Sequence, residues 1–173
     1  MVDRLSRDFF NRSTPVVAQE LLGKIMVFGT SAGVITETEA YIGQDDPASH
    51  AARGKTPRSA VMFGPAGFSY VYFIYGMYYC LNFVTEEEGS PGAVLIRGLM
   101  LVKPSLLYLN GPGKLCQHLG ITRDHNALDL TEGDALYIKD SPLSPPYEAT
   151  PRIGIRRGQE KLWRFVVKKK SGL

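Results

Sequence analysis

The chain has 173 residues, of which 44% are hydrophobic and 21% are charged. These values are typical of a folded globular protein with one domain, or at most two small ones, and they exclude a disordered chain. No apolar run reaches the roughly 18 residues that a transmembrane helix needs. We predict a single domain over residues 1–173.

The termini and the cysteines indicate where such a chain would work. The N-terminal residues lack the apolar stretch of a secretory signal. Cys80 and Cys116 are the two cysteines, and neither belongs to a metal-binding or CxxC motif. Free thiols are typical of a reducing compartment, so we expect a cytoplasmic protein.

The net charge of +3 is unevenly distributed. Residues 151–173 hold eight Lys and Arg against a single Glu, whereas residues 1–150 hold twelve against sixteen acidic residues. A basic segment of this kind indicates a polyanionic partner, with nucleic acid first and a membrane surface second, although its lysine run alone is typical of a solvated tail. Four arginines of the segment stand among apolar residues: Arg152, Arg156, Arg157 and Arg164.

The first half of the chain predicts a helix and a hairpin. Residues 11–24 have Thr14 as a candidate N-cap, Pro15 in the first turn and Gly23 as a stop signal. Residues 24–43 contain two apolar strands around the loop Gly29–Gly33.

An irregular segment and a second hairpin follow. Residues 43–67 are punctuated by Gly and Pro, and a long loop of this kind is more often functional than idle. Residues 68–84 predict a hairpin that turns at Gly76, with Tyr70 opposite Asn82 and Tyr72 opposite Cys80. 

Shorter elements complete the chain. Residues 92–102 predict a buried strand, residues 113–120 a short helix that ends at Gly120, and residues 134–138 and 161–167 late strands. Strands outnumber helices and hairpins dominate, so the predicted class is α+β: a compact domain with a mainly antiparallel curved β-sheet, flanking helices and a protruding β-hairpin.

Strand periodicity places Ile35, Glu37, Glu39 and Tyr41 on one face of the first hairpin. Two neighbouring carboxylates repel each other, so they either stay in water or pair with a cation. An exposed polar face is the ordinary interpretation of such a strand, but it does not account for the adjacent tyrosine ring.

The second hairpin carries five tyrosines within ten residues. Two or three of them are expected in the core or in cross-strand pairs. Tyr75 and Met77 flank the predicted tip, where core residues do not belong. An exposed aromatic or apolar wedge at a hairpin tip is suited to entering the minor groove of DNA.

Arg97 interrupts an apolar strand and therefore needs an anionic or carbonyl partner. Glu37 and Glu39 are the obvious partners, whether the ion pair is structural or functional. His50, His118 and His125 are too far apart for a local metal motif, so we predict no metal and no cofactor. The GPGK at 111–114 lacks the spacing of a phosphate-binding P-loop.

Seven co-linear stretches resemble one family, the mammalian-type alkyladenine (3-methyladenine) DNA glycosylases, which also occur in bacteria. They include ITETEAYIGQDDPASHA, TPRSAVMFGPAGFSYVYFIYGMYYCLN, AVLIRGL, NGPGKLCQHLGI and PRIGI. The resemblance runs from about Arg4 to Val167 and is far more specific than any single motif.

The resemblance implies a monofunctional enzyme that flips a damaged purine, alkylated or deaminated, out of duplex DNA and hydrolyses its N-glycosidic bond. This would initiate base excision repair, in the nucleoid of a prokaryote or the nucleus of a eukaryote. The family pattern makes Glu39 the base that deprotonates water, with Arg97 and the backbone carbonyl of Ile153 holding that water. We expect Arg97 to lower the pKa of the carboxyl group and so keep it ionised. Glu37 would support this group without reacting.

The family also implies how a base would be held. Tyr41 and Tyr72 would stack on it, and aromatic faces attract a cationic alkylated purine. His50 would complete the walls and contact the base edge. Asn82 matches an asparagine that excludes guanine by clashing with its exocyclic amino group.

DNA contacts transfer in the same way. Tyr75 matches the intercalating wedge, and Met77 would lie beside it in the minor groove. Thr56 and Arg58, with the basic C-terminal segment, would hold phosphates. The expected partner is double-stranded DNA with damaged purines, the protein is expected to be monomeric, and no membrane is involved.

The chain departs from the family pattern at two places. Residues 98–110 are shorter and less basic than the family's usual segment, either because the loop is contracted or because the numbering bridges a missing stretch. Three glutamates at 86–88 follow the wedge hairpin, and they are expected to point away from DNA.

Two other functions fit parts of this pattern. One is a binder of damaged or bent DNA without catalysis, and the other is a single-stranded nucleic-acid binder with a stacking sheet. Neither requires Glu39 together with Arg97, which favours the enzyme. A lyase is disfavoured because the pocket motifs contain no lysine for a Schiff base.

Overall fold

The computed structural model describes residues 3–43 and 45–169. Its main feature is one curved antiparallel sheet of nine strands, in which β3, β4, β5, β2, β1 and β7 lie side by side. The strands are β1 Ile25–Phe28, β2 Ser31–Ile42, β3 Ser69–Ile74, β4 Tyr78–Val84, β5 Gly92–Lys103, β6 Leu107–Asn110, β7 Leu136–Lys139, β8 Tyr147–Thr150 and β9 Arg164–Val167. The α+β prediction is confirmed.

In the part of the chain that the structure describes, three α-helices flank the sheet: α1 Arg7–Phe10, α2 Thr14–Glu20 and α3 Pro112–Leu119. The main core lies between helices and sheet, where Phe10, Leu21, Phe83 and Leu115 are buried. A second, smaller cluster around Met62 and Tyr70 supports the irregular segment 43–67.

The predicted helix start is off by one residue. Ser13 occupies the N-cap position and Thr14 is already helical. The side-chain oxygen of Glu86 accepts from the Thr14 amide (2.6 Å) and hydroxyl. Since a helix N-terminus leaves amides unpaired, a carboxylate there is stabilising. The Glu86 side chain therefore binds the N-terminus of α2. The predicted stop, Gly23, lies three residues beyond the helix end with a φ of 89°.

The hairpin predictions are confirmed with small changes. β1 and β2 pair around a tight turn, and β2 resumes at Ser31 rather than after Gly33. In the second hairpin, Tyr70 pairs with Asn82 and Tyr72 with Cys80, in the predicted register. α3 ends at Gly120, whose φ of 74° is left-handed.

One prediction about β2 is wrong. The pairing of β2 with β5 is irregular between Ile35 and Thr38, which interrupts the alternation of sides. Ile35 is consequently buried in the main core with Ala40, although strict alternation puts it beside the glutamates. Glu37 lies within this irregularity, and Glu39 and Tyr41 lie beyond it.

Residues 98–110 form a continuous hairpin in which β6 folds back on β5, from Gly98–Asn110 to Leu101–Leu107. β6 and β8 were not anticipated from the sequence, since both are four-residue edge strands with little burial. The irregular segment contains two short 3-10 helices, His50–Arg53 and Ala60–Phe63. Within the described residues, no helix is long and apolar enough to cross a membrane.

Candidate active site

A cavity of about 270 Å³ opens between the second hairpin, the irregular segment, β2, β5 and residues 153–155. Six predicted residues line it together with the tip residue Tyr75: Glu39, Tyr41, His50, Tyr72, Asn82 and Arg97. Residues that are up to 58 positions apart in the sequence therefore meet at one site, as does the backbone at Ile153.

Glu39 lies at the base of the cavity with no exposed surface. The Tyr41 hydroxyl donates to its Oε1 at 2.8 Å, and the Ile153 amide donates to its Oε2 at 2.6 Å. The carboxylate is thereby fixed at both oxygens. The sequence predicted a role for the Ile153 carbonyl, but the contact to Glu39 comes from the N–H of the same residue.

Glu37 holds Arg97 through the Nε side of its guanidinium. Its Nε donates to Glu37 Oε2 at 2.9 Å and lies 3.8 Å from Glu39 Oε2. Glu37 Oε2 also accepts from Arg164 Nε at 2.7 Å, so it joins two arginines. The outer nitrogens of Arg97 have no hydrogen-bond partner within residues 3–43 and 45–169, and the side chain lines the cavity. Donors that the protein leaves unpaired at a cavity are available to a ligand or water.

Burial is the largest influence on Glu39 and raises the pKa of its carboxyl group above 4.5. Arg97 and the donors from Ile153 and Tyr41 act in the opposite direction but do not cancel the desolvation. Arg97 lowers the pKa, as the sequence predicted, but desolvation outweighs this effect and the pKa stays above its ordinary value. A raised carboxyl pKa beside a charged partner in a cleft is typical of a functional group.

Aromatic rings form one wall of the cavity. The rings of His50 and Tyr72 lie 4.3 Å apart, and those of Tyr70 and Tyr72 lie 5.3 Å apart. His50 Nδ1 contacts the Tyr70 hydroxyl at 3.0 Å. Burial, followed by the charge of Arg58, lowers the His50 pKa to about 4, so this imidazole is neutral at pH 7. A neutral wall does not repel a cationic ring.

Asn82 is buried on β4 and its Nδ2 donates to the Tyr70 carbonyl across the hairpin at 3.2 Å. This bond restricts rotation of the side-chain amide. A bulky substituent that reaches this position must therefore displace a fixed group rather than push aside a mobile one.

The tip of the second hairpin projects from the molecule. Tyr75 and Met77 are 70% and 76% exposed. Tyr75 and Gly76 have φ angles of 55° and 61°, as in a type I′ turn, and the Met77 amide closes the turn on Ile74. Tyrosine is a rare choice at a left-handed position, so turn formation alone does not account for this residue.

Most of the chain matches one protein family. The model of a family described as methylpurine-DNA glycosylase matches residues 8–171. A relative from Rickettsia felis is 60% identical over 163 residues, which cover 94% of this chain and 92% of the relative. One from Sodalis glossinidius is 62% identical, covering 93% of this chain and 95% of the relative. A third, from Wolbachia sp. subsp. Brugia malayi, is 62% identical, covering 94% and 96%. All three carry the name "Putative 3-methyladenine DNA glycosylase".

The chain belongs to the methylpurine-DNA glycosylase family. The resemblance inferred from the sequence motifs is therefore confirmed, as is the enzyme class, a hydrolase that acts on N-glycosyl bonds of DNA.

The predicted DNA contacts of this glycosylase are distributed around the cavity. Arg58 is exposed at its rim, 5.4 Å from the Tyr72 ring centre, and donates to the Phe73 carbonyl. Thr56 is exposed and its Oγ1 lies 3.1 Å from Ser59 Oγ in a local turn. Their predicted contacts with phosphates stay predictions.

Six of the eight basic residues in the segment fall into two groups. Arg156, Arg157, Lys168 and Lys169 are exposed, and Lys170 falls outside the described residues. Arg164 instead pairs with Glu37, and Arg152 is buried and pairs with Asp46. For these two arginines, the interpretation as polyanion-binding residues is wrong, because both turn inward.

Several cavity residues were not singled out from the sequence. Tyr70, Cys80 and Leu95 line the cavity from β3, β4 and β5. The predicted register already paired Tyr70 and Cys80 with cavity residues, whereas Leu95 needed the pairing of β4 with β5, which was not predicted. Asp46 carries no distinctive local signal. Within the described residues, no cluster of His, Cys, Asp and Glu could hold a metal ion.

Proposed function

We propose that this family member is a monofunctional glycosylase that flips damaged purines out of duplex DNA and hydrolyses their N-glycosidic bond. The observation that carries the proposal is Glu39, a buried carboxylate fixed at both oxygens beside Arg97 at the base of an aromatic cavity. Alkylated purines, such as the 3-methyladenine in the names of the relatives, are the first substrate class, and deaminated purines the second.

In the proposed reaction, water attacks the sugar carbon that carries the purine. Its oxygen forms a bond to C1′ while the glycosidic bond breaks, and the electron pair of that bond leaves with the base. Glu39 accepts the proton from the water, a role that contributes typically about 10²- to 10⁴-fold. The outer nitrogens of Arg97, which have no hydrogen-bond partner among the described residues, and the Ile153 carbonyl orient this water. No lysine lines the cavity within the described residues, which disfavours a Schiff-base lyase step.

The flipped base would lie between Tyr41 and the pair His50–Tyr72. A cationic alkylated purine gains from the aromatic faces, and the neutral imidazole adds no opposing charge. Asn82 would exclude guanine through its exocyclic amino group. Tyr75 would fill the space that the base leaves in the stack, with Met77 beside it, so that return of the base is hindered.

The wider setting follows from the same proposal. Thr56, Arg58 and the exposed basic residues Arg156 and Arg157 would hold phosphates on either side of the lesion. We propose that the protein acts as a monomer in the cytoplasm, at the DNA itself, and starts base excision repair there.

The test uses duplex oligonucleotides that carry hypoxanthine, ethenoadenine or 3-methyladenine, followed by alkali to cleave abasic sites. Wild-type protein should release at least one of these bases, and Glu39→Gln should abolish release while binding to the duplex survives. Glu132→Gln, at an exposed position, is the matched control. Binding without release by the wild type would favour the non-catalytic alternative, and undiminished release by Glu39→Gln would refute the role of Glu39.

A further inference from the structure

A fully buried ion pair lies directly behind the cavity. Arg152 Nη1 and Nη2 donate to Asp46 Oδ2 and Oδ1 at 2.7 and 2.9 Å, and the two side chains are 0% and 1% exposed. Arg152 Nη1 also donates to the Ala40 carbonyl at 2.9 Å. The pair thus joins β2, the irregular segment and the C-terminal part of the chain.

This ion pair is a poor device for stability alone. Burial of two charges costs so much solvation that well-packed apolar residues are often equally stable or better. In addition, Arg152 Nε is buried without a hydrogen-bond partner in the described part of the chain, which adds a further cost. Stability alone therefore does not explain the pair, which suggests that it holds other groups in position.

On the arginine side, the pair fixes groups that contact Glu39. Arg152 immediately precedes Ile153, whose amide donates to Glu39 Oε2 at 2.6 Å. The Arg152 guanidinium also lies 4.7 Å from the centre of the Tyr41 ring, and the Tyr41 hydroxyl donates to Glu39 Oε1. Trp163 covers the guanidinium from another direction at 5.1 Å. Both donors to Glu39 therefore depend on where Arg152 lies.

On the aspartate side, the pair fixes the segment that carries His50. The Asp46 carboxylate accepts from the amides of Ile42 at 3.2 Å and Ala48 at 3.1 Å. Its backbone carbonyl accepts from the Ser49 amide, and Ser49 caps the short helix that begins with His50. Asp46 thus connects the end of β2 to the aromatic wall.

We propose that the Asp46–Arg152 pair positions both the carboxylate and the base-binding wall for catalysis. The proposal rests on the proposed function, because it assumes that Glu39 and His50 act on a flipped base. Arg152 is a positioning residue and touches neither DNA nor water. Its charge is balanced by Asp46, so it does not repel a cationic base that stacks on the other side of Tyr41.

Arg152→Lys tests the geometry while it keeps the charge. The donors of a lysine all lie on one nitrogen. They cannot reach two carboxylate oxygens and a carbonyl in the fixed planar arrangement of a guanidinium. Because small misplacements of reacting groups cost up to about 10²-fold in rate, we expect single-turnover release at saturating enzyme to fall about 10- to 100-fold. Affinity for a duplex with an abasic-site analogue should change by less than about 3-fold, since no phosphate contact is lost.

Arg7→Lys is the matched control. Arg7 has a similar set of partners, namely the Ala66 carbonyl, the Asp129 carboxylate and the Phe68 ring, and it does not line the cavity. It should lower the melting temperature without changing the single-turnover rate. If Arg152→Lys is folded and as fast as the wild type, or if its loss of rate equals its unfolded fraction, the proposal is refuted.

The pH profile separates positioning from a loss of folded protein. The charged and titratable groups that face Glu39 are Arg97 on β5, Glu37 and Tyr41 on β2, and Cys80 on β4, with the Ile153 amide opposite. Loss of the Ile153 donor removes a contact that favours the ionised carboxylate, so the acidic limb of the rate should move to higher pH in Arg152→Lys. A loss of folded protein alone would lower the rate by the same factor at every pH and would leave the pH of the acidic limb unchanged.

Asp46→Asn provides an independent test from the other side of the pair. It should slow base release in the same way. The double variant with Arg152→Lys should lose less rate than the product of the two single losses, because both substitutions break the same ion pair. If both single variants fail to fold, the pair is a requirement of folding and the positioning proposal is wrong. Failure of the proposed function is a distinct outcome, because the wild type itself would then release no base.

Discussion

Tyr75→Asn separates the work of the wedge from the stability of the hairpin. Tyr75 is 70% exposed at a φ of 55°, and asparagine tolerates the left-handed region better than tyrosine. The substitution removes an edge contact with Tyr78, whose ring centre is 6.2 Å away, but it relieves backbone strain. Since each contribution is of order 1 kcal/mol and they oppose each other, we expect the free energy of unfolding to change by less than about 1 kcal/mol.

The effect on base release should be much larger. A ring that occupies the place of the flipped base makes stacking contacts worth about 1 to 3 kcal/mol per base. Because 1.4 kcal/mol corresponds to a factor of ten, the single-turnover rate on a hypoxanthine duplex should fall about 5- to 150-fold. On a single-stranded substrate there is no stack to fill, so the rate there should change little.

The assay compares single-turnover release from duplex and single-stranded oligonucleotides, together with thermal unfolding. Tyr108→Asn is the control, since Tyr108 is 43% exposed on β6 and does not line the cavity. An unchanged duplex rate in Tyr75→Asn would refute the wedge. Equal losses on both substrates would show that Tyr75 contacts the base or the sugar instead.

Four further predictions concern the cavity. Because burial raises the Glu39 pKa above 4.5 and the proposed base acts when ionised, release should decline as the pH falls through that raised value, and a rate still maximal at pH 4.5 would contradict this assignment. The His50 pKa is lowered from 6.5 to about 4, so the folded state favours the neutral ring. The contribution of this group to the free energy of unfolding should therefore be complete above pH 6.5 and should decrease as the pH falls towards 4. Urea unfolding at several pH values should show this dependence in the wild type and lack it in His50→Gln. Asn82→Ser should allow release of guanine-type bases such as 7-methylguanine, measured by chromatography of the freed base, and continued exclusion would assign the discrimination to another group. Glu37→Gln keeps a hydrogen-bond acceptor for Arg97 but removes a like charge near Glu39, so the acidic limb should move to lower pH, and a shift to higher pH would contradict the contacts described here.

Local chemistry accounts for what the sequence predicted correctly. The turn centred on Gly76 set the hairpin register, because residues equally distant from Gly76 then face each other, as Tyr72 and Cys80 do. Glu37, Glu39 and Tyr41 share a face because successive strand residues alternate. The family motifs extend over most of the chain, and they identified the residues that meet in the cavity.

The sequence could not reveal which groups compensate each other across the fold. Arg152 and Arg164 have the composition of a nucleic-acid-binding segment, yet both are turned inward by carboxylates more than 100 residues away. The irregularity in β2 depends on its pairing with β5, so alternation alone misplaced Ile35. The pKa of Glu39 depends mainly on how deeply its carboxyl group is buried, and the residues next to it in the sequence do not indicate this burial.

The sequence by itself determined the fold class through local periodicity and residue type, and the family and the set of residues available for chemistry through its resemblance to long co-linear motifs. Only the tertiary structure decided the protonation tendency of Glu39, the N–H contact from Ile153 and the inward direction of the two arginines. These properties arise from desolvation and from hydrogen bonds between distant segments. In the methylpurine-DNA glycosylase family member described here, the ETEAY strand supplies the carboxylate, and contacts from distant segments set its environment.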